Sequence, residues 1–326
     1  MTKAVRVHQY GGPEVLTFED VPVEAPGPGQ VRLHQRAIGL NYIDVYQRTG
    51  LYPSNLPLVP GNEGAGDIVA LGPNVTEFKV GDRAAYGMAI GAYAQERLIA
   101  ADRIVKLPDS ISYETAAAMM LKGLTAQYLL RQTFRVEPGQ TILVHAAAGG
   151  VGLILCQWGR ALGATVIGTV GSQDKAKLAR DAGAHHTILY RTENFAARVK
   201  EITDGKLCDV VYDGVGKATF PASLDCLRPR GLFASFGSSS GQVEAFNINI
   251  LASKGSLFAT RPTLGTYASD RGAIAAMAGD LFEVVGSGKV KIAINHRYPL
   301  AEAAKAHAAL EARETTGATV LLPDMP

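Results

Sequence analysis

A glycine-rich turn carries the clearest chemical signal in the sequence. It contains His145-Ala146-Ala147-Ala148-Gly149-Gly150-Val151-Gly152 and lies between a short apolar segment and a segment with helical spacing. A strand-to-helix turn of this kind brings backbone N–H groups and the positive end of the helix towards a pyrophosphate. Gly149 and Gly150 leave room for phosphate oxygens, and Gly152 allows close packing of helix on strand. The turn therefore predicts a dinucleotide site; a tight β–α turn without a ligand is the alternative.

The end of the following strand bears on which dinucleotide would bind. NAD-binding folds usually place Asp or Glu about 20 residues on, where the carboxylate binds the ribose hydroxyls. Here the strand ends Ile167-Gly168-Thr169-Val170-Gly171-Ser172, without an acid at its tip. Ser172, Lys175 and Tyr190 instead offer a hydroxyl, a cation and a phenol, which suit a 2′-phosphate and predict NADPH. The alternative for Lys175 is a solvated helix lysine.

Histidine and cysteine do not indicate a metal cluster or a nucleophile. The seven histidines are scattered: His145 ends a predicted strand and is expected to be structural, and His185-His186 lies in a loop. Cys156, Cys208 and Cys226 are too few and too dispersed for a disulfide framework. No Ser/His/Asp arrangement is apparent, and we assign no nucleophile.

The segments around the glycine-rich turn alternate between strands and helices. Predicted strands cover residues 141–145, 165–170, 187–190, 210–212, 232–236 and 257–260. Predicted helices cover residues 151–162, 175–182, 195–203 and 220–227. Such alternation is typical of a doubly wound parallel sheet in an α/β protein.

The first third of the chain has a different texture, with short apolar segments separated by Gly and Pro turns. Predicted strands there cover residues 4–8, 17–21, 30–38, 66–71 and 92–99, which favours a partly open antiparallel β-barrel. Helical patterns follow at 114–120 and 125–131. Beyond Pro262 we predict helices 274–285 and 300–311 and strand 319–322, too little for a separate domain. The predicted domains are thus 1–124 with 263–326, and 125–262.

Composition excludes several classes of protein. Hydrophobic residues make up 47% of the 326 residues and charged residues 19%, which is ordinary for a globular protein. The formal charge of +2 without a basic block gives no electrostatic footprint for nucleic acid. No apolar run reaches the roughly 18 residues that a membrane span needs. The first residues alternate like a strand rather than a signal peptide, so we expect a cytoplasmic protein without a membrane partner.

The segment from Gly139 through the glycine-rich turn to Arg160 resembles the quinone oxidoreductase/ζ-crystallin signature of the medium-chain dehydrogenase/reductases. Four further stretches are similar to that family, namely Gly11-Gly12-Pro13-Glu14-Val15-Leu16, Gly39-Leu40-Asn41-Tyr42-Ile43-Asp44, Leu121-Lys122-Gly123-Leu124-Thr125 and Thr260-Arg261-Pro262. The resemblance covers essentially the whole chain and is greatest to bacterial NADPH:quinone oxidoreductases. It implies a GroES-like barrel domain plus a Rossmann domain, NADPH and a quinone in the cleft between them, and a homodimer.

The resemblance also bears on zinc, because the wider superfamily includes zinc alcohol dehydrogenases. Those enzymes have a Cys ligand where this chain has Asn41 and a His ligand where it has Asn62. No cysteine precedes Cys156, so the four-cysteine structural zinc lobe is also absent. An amide supplies neither the thiolate nor the imidazole of a catalytic zinc site. We therefore expect no zinc, and a quinone suits this because its reduced anion is delocalised and weakly basic.

The resemblance places further residues around cofactor and substrate. Candidates for the substrate cleft are Asn41, Tyr46 and Tyr52, with ordinary packing as the alternative for the two tyrosines; no catalytic group is firmly assigned. The residues expected to contact the cofactor are Asn41, Tyr42, Ile43, Asp44, Lys122, Thr125, Tyr128, Ala148, Gly149, Gly150, Val151, Gly152, Ser172, Lys175, Tyr190, Phe236, Gly237, Ser238, Ser239, Arg261, Thr263 and Arg313. For Arg313, a solvated helix-end arginine is the alternative.

Two other functions remain open from the sequence. Zinc-free reductases of this type include enzymes that reduce the C=C bond of enones and alkenals with NADPH. A non-catalytic role, as a lens crystallin or an RNA-binding protein, is the other alternative. The near-neutral charge weighs against nucleic acid as the main partner, because phosphate contacts need clustered Lys and Arg.

Overall fold

The computed structural model describes residues 1–325, and the chain divides into two compact units. The first contains Met1–Leu124, Ala268–Gly286 and the chain from Ile292 onward, and the second contains Thr125–Tyr267 with Ser287–Lys291. Compared with the predicted boundaries, residues 263–267 and 287–291 group with the second unit rather than the first. Each unit has a hydrophobic core of its own.

The secondary-structure elements are numbered along the chain. The strands are β1 Thr2–Val7, β2 Leu16–Val21, β3 Gln30–Leu40, β4 Glu63–Leu71, β5 Arg83–Gly87, β6 Glu96–Ala100, β7 Val105–Lys106, β8 Thr141–Val144, β9 Thr165–Val170, β10 His186–Leu189, β11 Cys208–Asp213, β12 Leu227–Ser235, β13 Phe258–Thr260, β14 Ile294–Pro299 and β15 Ala318–Leu322. The α-helices are α1 Tyr42–Arg48, α2 Tyr113–Tyr128, α3 Gly150–Ala161, α4 Gln173–Asp181, α5 Phe195–Ile202, α6 Asn249–Ser253, α7 Leu264–Tyr267, α8 Arg271–Gly286 and α9 Ala303–Glu311.

The first unit is built on a mainly antiparallel sheet in the order β14-β15-β3-β4-β5-β7, with β6 also paired to β3. Within it only β14 and β15 run parallel, and β1 and β2 form a separate antiparallel hairpin. The long strand β3 alternates buried and partly buried side chains, so that Val31 and Leu33 enter the core with Ile68 of β4 and Tyr86 of β5. The antiparallel prediction is confirmed, although β5, β7 and β14 were not predicted.

Two predictions in the first unit are wrong in detail. The strand predicted at 92–99 begins only at Glu96, because Ala94 forms an isolated bridge with Ala4 instead of extending the ladder on β3. The helical segments predicted at 114–120 and 125–131 are continuous through α2, but α2 ends at Tyr128 and a π-helical turn follows at Leu129–Thr133. Gly123 does not break this helix. A Cβ at Gly123 would approach Leu281 Cδ1 to 2.5 Å, so the glycine serves close packing of α2 on α8.

The second unit contains a six-stranded sheet in the order β10-β9-β8-β11-β12-β13, and all of its pairs are parallel. This confirms the predicted doubly wound sheet. The chain reverses its direction of growth between β8 and β11, which is the switch point where such folds bind ligands. The helix predicted at 220–227 is only a short 3-10 turn at Ala222–Cys226, since the hydroxyls of Thr219 and Ser223 both bind the Asp213 carboxylate and hold this segment close.

The cysteines and the helices add two observations. Cys156, Cys208 and Cys226 are free and buried, and burial raises the pKa of the Cys156 thiol to about 12. Among residues 1–325, none of the helices combines the length and the apolarity needed to cross a membrane.

Candidate active site

The carboxyl ends of the parallel strands collect the dinucleotide-binding residues predicted in the second unit. The glycine-rich turn follows β8, Ser172 follows β9, and Tyr190 follows β10. Residues 236–239 follow β12, and residues 261–263 follow β13. Because parallel strands end at the same edge of a sheet, these segments share one edge, where open α/β sheets bind their ligands.

The glycine-rich turn leaves the N-terminus of α3 available to an anion. Gly149 is the N-cap in an extended conformation, no side chain caps the helix, and its first turn contains no acid. A Cβ at Gly152 would lie 2.4 Å from the Ala146 carbonyl oxygen, so this position requires glycine for close packing. The first N–H groups of a helix have no partner within it. The turn therefore fits the pyrophosphate of a dinucleotide.

The predicted 2′-phosphate residues form a corner beside this turn. Ser172 caps α4, and its Oγ accepts a hydrogen bond of 3.3 Å from the Lys175 backbone N–H. Tyr190 is 41% exposed, and its hydroxyl would lie 2.9 Å from a Cβ placed on Gly171. Arg191 Nε would lie 3.5 Å from that same point. Sequence reasoning missed Arg191, although it directly follows Tyr190.

A buried histidine, serine and aspartate lie together in the second unit. Ser223 Oγ donates to Asp213 Oδ2 over 3.1 Å and contacts His145 Nε2 at 3.0 Å. His145 Nδ1 contacts Thr169 Oγ1 at 2.9 Å, and burial lowers the pKa of His145. A hydrolytic triad places the histidine between the other two groups. Here the serine is in the middle and all three are buried, so the cluster is structural, as expected for His145.

Asp213 connects this cluster to the loop that follows β11. Its Oδ1 accepts from the backbone N–H groups of Val215 and Gly216 over 2.7 and 3.0 Å, and Thr219 Oγ1 donates to Oδ2 over 2.6 Å. The loop in turn packs against residues 236–239, where a Cβ on Gly237 would lie 2.7 Å from the Gly214 carbonyl oxygen. The cluster thus holds the ends of β8, β11 and β12 together.

Tyr128, predicted to contact the cofactor, is nearly fully buried. Its ring stacks on Tyr267 with centroids 4.5 Å apart and planes 7° apart, and burial raises its pKa, while the charge of Arg261 opposes that rise. Thr133 Oγ1 donates to the Tyr267 hydroxyl over 2.8 Å. Tyr128, Tyr267 and Arg261 are therefore brought together within the second unit.

In the first unit, Asp44 lies at the centre of a buried network around the start of α1. Its carboxylate accepts from the Asn41 backbone N–H over 2.9 Å, from Asn62 Nδ2 over 2.7 Å and from the Tyr93 hydroxyl over 3.0 Å. Asp44 has no exposed surface, and burial raises its pKa to about 7 against the opposing effect of these hydrogen bonds. In this arrangement the carboxylate positions Asn41 and Asn62.

The network continues through Tyr93 to the C-terminal helix α9. The Tyr93 hydroxyl contacts His307 Nε2 at 2.9 Å, and Arg48 Nη1 contacts His307 Nδ1 at 3.2 Å. Because a guanidinium only donates, we assign Nδ1 as the acceptor and place the proton on Nε2. Burial and the charge of Arg48 lower the pKa of His307 to about 3. Arg48 also forms a bidentate pair with Glu311 at 2.9 and 2.8 Å.

Asn41 also connects this network to a buried ion pair. Its Nδ2 donates to Glu63 Oε1 over 2.8 Å, and the Leu121 backbone N–H donates to Glu63 Oε2 over 2.7 Å. The Lys122 ammonium pairs with Glu63 Oε1. Glu63 is fully buried, and the Lys122 side chain is only 7% exposed. Residues of α1, β4 and α2 are thereby joined.

The two positions compared with zinc ligands do not fit a zinc ion. The Asn41 and Asn62 side chains act as donors, to Glu63 in one case and to Asp44 and Gln47 in the other. Within the described part of the chain, no group of three His, Cys, Asp or Glu residues is arranged to hold a metal.

The predicted aromatic wall forms a row in the first unit. The Tyr46 and Tyr52 rings meet edge to face with centroids 5.2 Å apart, and Tyr42 and Tyr46 are 6.1 Å apart. Tyr42 donates to the Leu310 carbonyl over 3.2 Å, and the charge of exposed Arg313 partly offsets the burial that raises the pKa of Tyr42. All three tyrosines are half-buried, so the geometry is compatible both with packing and with an acceptor wall.

Comparisons with known proteins agree with this architecture. Residues 27–109 match the alcohol dehydrogenase GroES-like domain, and residues 150–277 match a family described as zinc-binding dehydrogenase. The chain is 57% identical over 325 residues to a quinone oxidoreductase of Pseudomonas aeruginosa, covering 99% of this chain and all of that one. It is 47% identical over 331 residues to a 2-haloacrylate reductase of Burkholderia, covering 99% of each chain.

One solved structure is especially informative. The quinone oxidoreductase of Escherichia coli complexed with NADPH has a TM-score of 0.97 and 47% identity, over 98% of this chain and all of that chain. The GroES-like and Rossmann architecture expected from the sequence is thus confirmed. The chain belongs to the quinone oxidoreductase family of the medium-chain dehydrogenase/reductases, and it is an oxidoreductase.

Proposed function

We propose that this protein reduces quinones with NADPH by hydride transfer and without a metal ion. The observation that carries the proposal is the edge of the parallel sheet in the second unit. There an uncapped, acid-free N-terminus of α3 lies beside a corner containing Ser172, Lys175 and Tyr190. The relatives named quinone oxidoreductase, one of them complexed with NADPH, support the same cofactor and acceptor.

Each part of this edge has a distinct task. The N–H groups at the start of α3 bind the pyrophosphate, where the helix dipole favours negative charge. Lys175 and Arg191 pair with the 2′-phosphate, and the hydroxyls of Ser172 and Tyr190 donate to it. When bound, NADPH supplies a hydride. Since no acid lies at the tip of β9, a 2′-phosphate meets no like charge there.

The side chains at the two zinc-ligand positions favour a quinone as the hydride acceptor. The amides of Asn41 and Asn62 already donate to carboxylates, and neither is the thiolate or imidazole that zinc requires. A metal ion normally stabilises a developing alkoxide. A quinone needs less help, because its reduced anion is delocalised, and this anion becomes the hydroquinone by taking a proton from water.

A screen of acceptors tests the proposal against its main alternative. The 2-haloacrylate reductase relative favours C=C reduction as the second candidate. We expect oxidation of NADPH by benzoquinones and naphthoquinones with a higher kcat/KM than by enones or haloacrylates, and a preference for NADPH over NADH. A higher kcat/KM for the alkenes would establish the second candidate instead.

Metal analysis tests the metal-free part. Purified protein should contain no stoichiometric zinc, and treatment with a chelator should leave turnover intact. Loss of activity on chelation, with recovery on adding zinc, would contradict this part of the proposal while leaving the quinone specificity standing.

We also propose a homodimer. The edge strand β13 exposes Phe258 to 61%, and Ile248 and Phe246 nearby in the sequence are 69% and 43% exposed. Large exposed apolar side chains on an unpaired strand edge favour pairing with another chain. Sedimentation of the wild type and of Phe258→Lys tests this, with a dimer expected only for the wild type. A cytoplasmic location stays a prediction.

A further inference from the structure

The Lys122 ammonium is buried with only part of its hydrogen-bonding capacity used. Its side chain is 7% exposed, and Glu63 Oε1 is its only hydrogen-bond acceptor among residues 1–325. A lysine ammonium carries three N–H donors. Two of them thus have no acceptor in the described part of the chain.

Glu63, in contrast, is fully occupied. Its two oxygens accept from the Asn41 amide, the Leu121 backbone N–H and the Lys122 ammonium. These contacts come from α1 and α2, so the carboxylate is held from both sides and in turn holds the ammonium in place. A donor that is buried without an acceptor destabilises the fold, and more so when it is charged. An ammonium fixed in this way can donate hydrogen bonds to an electron-rich oxygen of a ligand.

We propose that Lys122 is a catalytic residue whose ammonium binds an oxygen of the acceptor and stabilises the negative charge that develops there. The inference rests on the proposed quinone reduction. Asn41, which holds Glu63, is itself predicted to face the substrate. The hydride that bound NADPH would supply, with NADP⁺ as the oxidised product, forms an O–H bond at the far oxygen of the quinone. The electron pair displaced through the ring then ends on the oxygen that Lys122 binds. That anion takes one proton from water, while the ammonium donates hydrogen bonds and keeps its protons.

The ammonium and the Asn41 amide both donate to Glu63 Oε1. The ammonium therefore lies near Asn41, which is one of the two positions where zinc enzymes carry a ligand. A single ammonium stabilises an anion less than a divalent ion does, because its charge is smaller and it cannot form coordinate bonds. The arrangement thus favours acceptors whose reduced oxygen is weakly basic, and Lys122 should matter most for the most basic product anions.

Turnover of a graded series of acceptors tests the inference. Lys122→Met should lower kcat by about 10²–10³-fold, the usual effect of removing one oxyanion donor. The loss should grow as the pKa of the product hydroquinone rises across a series of substituted benzoquinones. Lys122→Arg should recover part of the activity because it retains the charge. Lys177→Met, which removes an exposed lysine paired with Asp181, is the matched control and should turn over like the wild type.

The double variant Glu63→Gln/Lys122→Met guards against misfolding, since it removes both charges of the buried pair. It should fold and show the same dependence on product pKa as Lys122→Met. A loss that is equal for all acceptors, or smaller than about tenfold, would overturn the inference. So would an NADPH Kd that weakens as much as kcat falls, since Lys122 would then bind the cofactor, as the family resemblance alone suggests.

A spectroscopic titration supplies a readout other than activity. In the presence of NADP⁺, 4-nitrophenol serves as a probe whose ionisation is visible by absorbance. The wild type should bind the phenolate and lower the apparent pKa of the bound phenol, and Lys122→Met should abolish this shift. No binding to the wild type, or an identical shift in the variant, would overturn the role of Lys122. Absence of quinone turnover in the wild type would overturn the proposed function, whatever the titration shows.

Discussion

Both units bury polar side chains, but the two clusters are completed in different ways. In the second unit, the cluster of His145, Ser223, Asp213 and Thr219 pairs its polar atoms with one another and with backbone groups. In the first unit, the cluster of Asn41, Asp44, Glu63 and Lys122 contains an ammonium with a single acceptor among residues 1–325 and a carboxylate whose pKa is raised to about 7.

This difference separates a structural cluster from a candidate catalytic one. A buried network whose members are all satisfied stabilises one conformation and offers nothing to a ligand. A buried charge with unused donors has a cost that a bound anion can offset. The Ser, His and Asp of the second unit are the more familiar catalytic residue types, yet we propose that the Lys of the first unit takes part in the chemistry. The following predictions test this contrast.

The largest effect should come from Glu63→Ala. This variant leaves the Lys122 ammonium buried without its partner and removes the acceptor of Asn41 and Leu121. Breaking a buried ion pair typically lowers the unfolding free energy by about 3–5 kcal/mol. Glu302→Ala, which removes an exposed pair with Lys305, is the control and should cost less than about 1 kcal/mol. Urea unfolding measures the unfolding free energy of both variants. Equal decreases would show that the buried Glu63–Lys122 pair stabilises the fold no more than an exposed pair does.

The pH dependence of stability should reveal Asp44 and His307 as opposing groups. Between pH 3.8 and about 7, Asp44 keeps its proton when folded and loses it when unfolded, so its contribution to the unfolding free energy falls as pH rises. Between about pH 3 and 6.5, His307 takes up a proton only when unfolded, so its contribution rises with pH. The two slopes oppose each other from about pH 4 to 6.5.

Single variants should therefore uncover opposite slopes. From about pH 4 to 6.5, the unfolding free energy of Asp44→Asn should rise more steeply with pH than that of the wild type, because only the His307 contribution remains. The unfolding free energy of His307→Gln should fall with pH, because only the Asp44 contribution remains. Urea titrations at several pH values measure the slopes. If both variants keep the slope of the wild type, neither group titrates as the buried network predicts.

Lys175→Ala tests the corner of the second unit that contains Ser172, Lys175 and Tyr190. A charge-assisted hydrogen bond contributes about 1.5–3 kcal/mol, so NADPH should bind about tenfold to a hundredfold more weakly, with NADH nearly unchanged. Lys177→Ala, on the same helix and 74% exposed, is the control. Both cofactors should be titrated at one ionic strength. An equal loss for NADH and NADPH would mean that Lys175 does not bind the 2′-phosphate.

Ser223→Ala should affect stability rather than chemistry. It removes one hydroxyl from Asp213 and the partner of His145 Nε2, which should cost about 1–3 kcal/mol. Ser253→Ala, an exposed serine in α6, should change stability by less than about 0.5 kcal/mol. Folded Ser223→Ala should keep kcat within about tenfold. A loss of a hundredfold or more would make the second-unit cluster catalytic after all.

The smallest effects should come from the aromatic row. Tyr46→Phe and Tyr52→Phe should each lower kcat by less than about tenfold, below the 10²–10⁴-fold contribution of a general acid or base. The reason is that the proposed reaction takes its proton from water. A thousandfold drop in either variant, with NADPH binding unchanged, would identify a proton donor among these tyrosines.

Local patterns determined much of the fold. The predicted strand 165–170 has the same bounds as β9, and the strand–turn–helix at residues 141–162 lies within one residue of the observed elements. Parallel strands are buried on both faces and appear as short apolar runs, which the sequence shows directly. The strands β5 and β14 escaped prediction because Arg83-Ala84-Ala85-Tyr86-Gly87 and Ile294-Asn295-His296-Arg297-Tyr298-Pro299 carry weak alternation, and pairing with neighbouring strands decides their structure.

The site divides in the same way. The glycine-rich turn, the missing acid after β9 and the asparagines at positions 41 and 62 are local features of the chain, so the sequence by itself predicted a dinucleotide site and argued against zinc. Tertiary structure alone brought Lys122 to Glu63, 59 residues away, and His307 to Tyr93, 214 residues away. Burial and hydrogen-bond partners arise from such distant contacts, and they decide which polar side chains are satisfied. No spacing along the chain reports them.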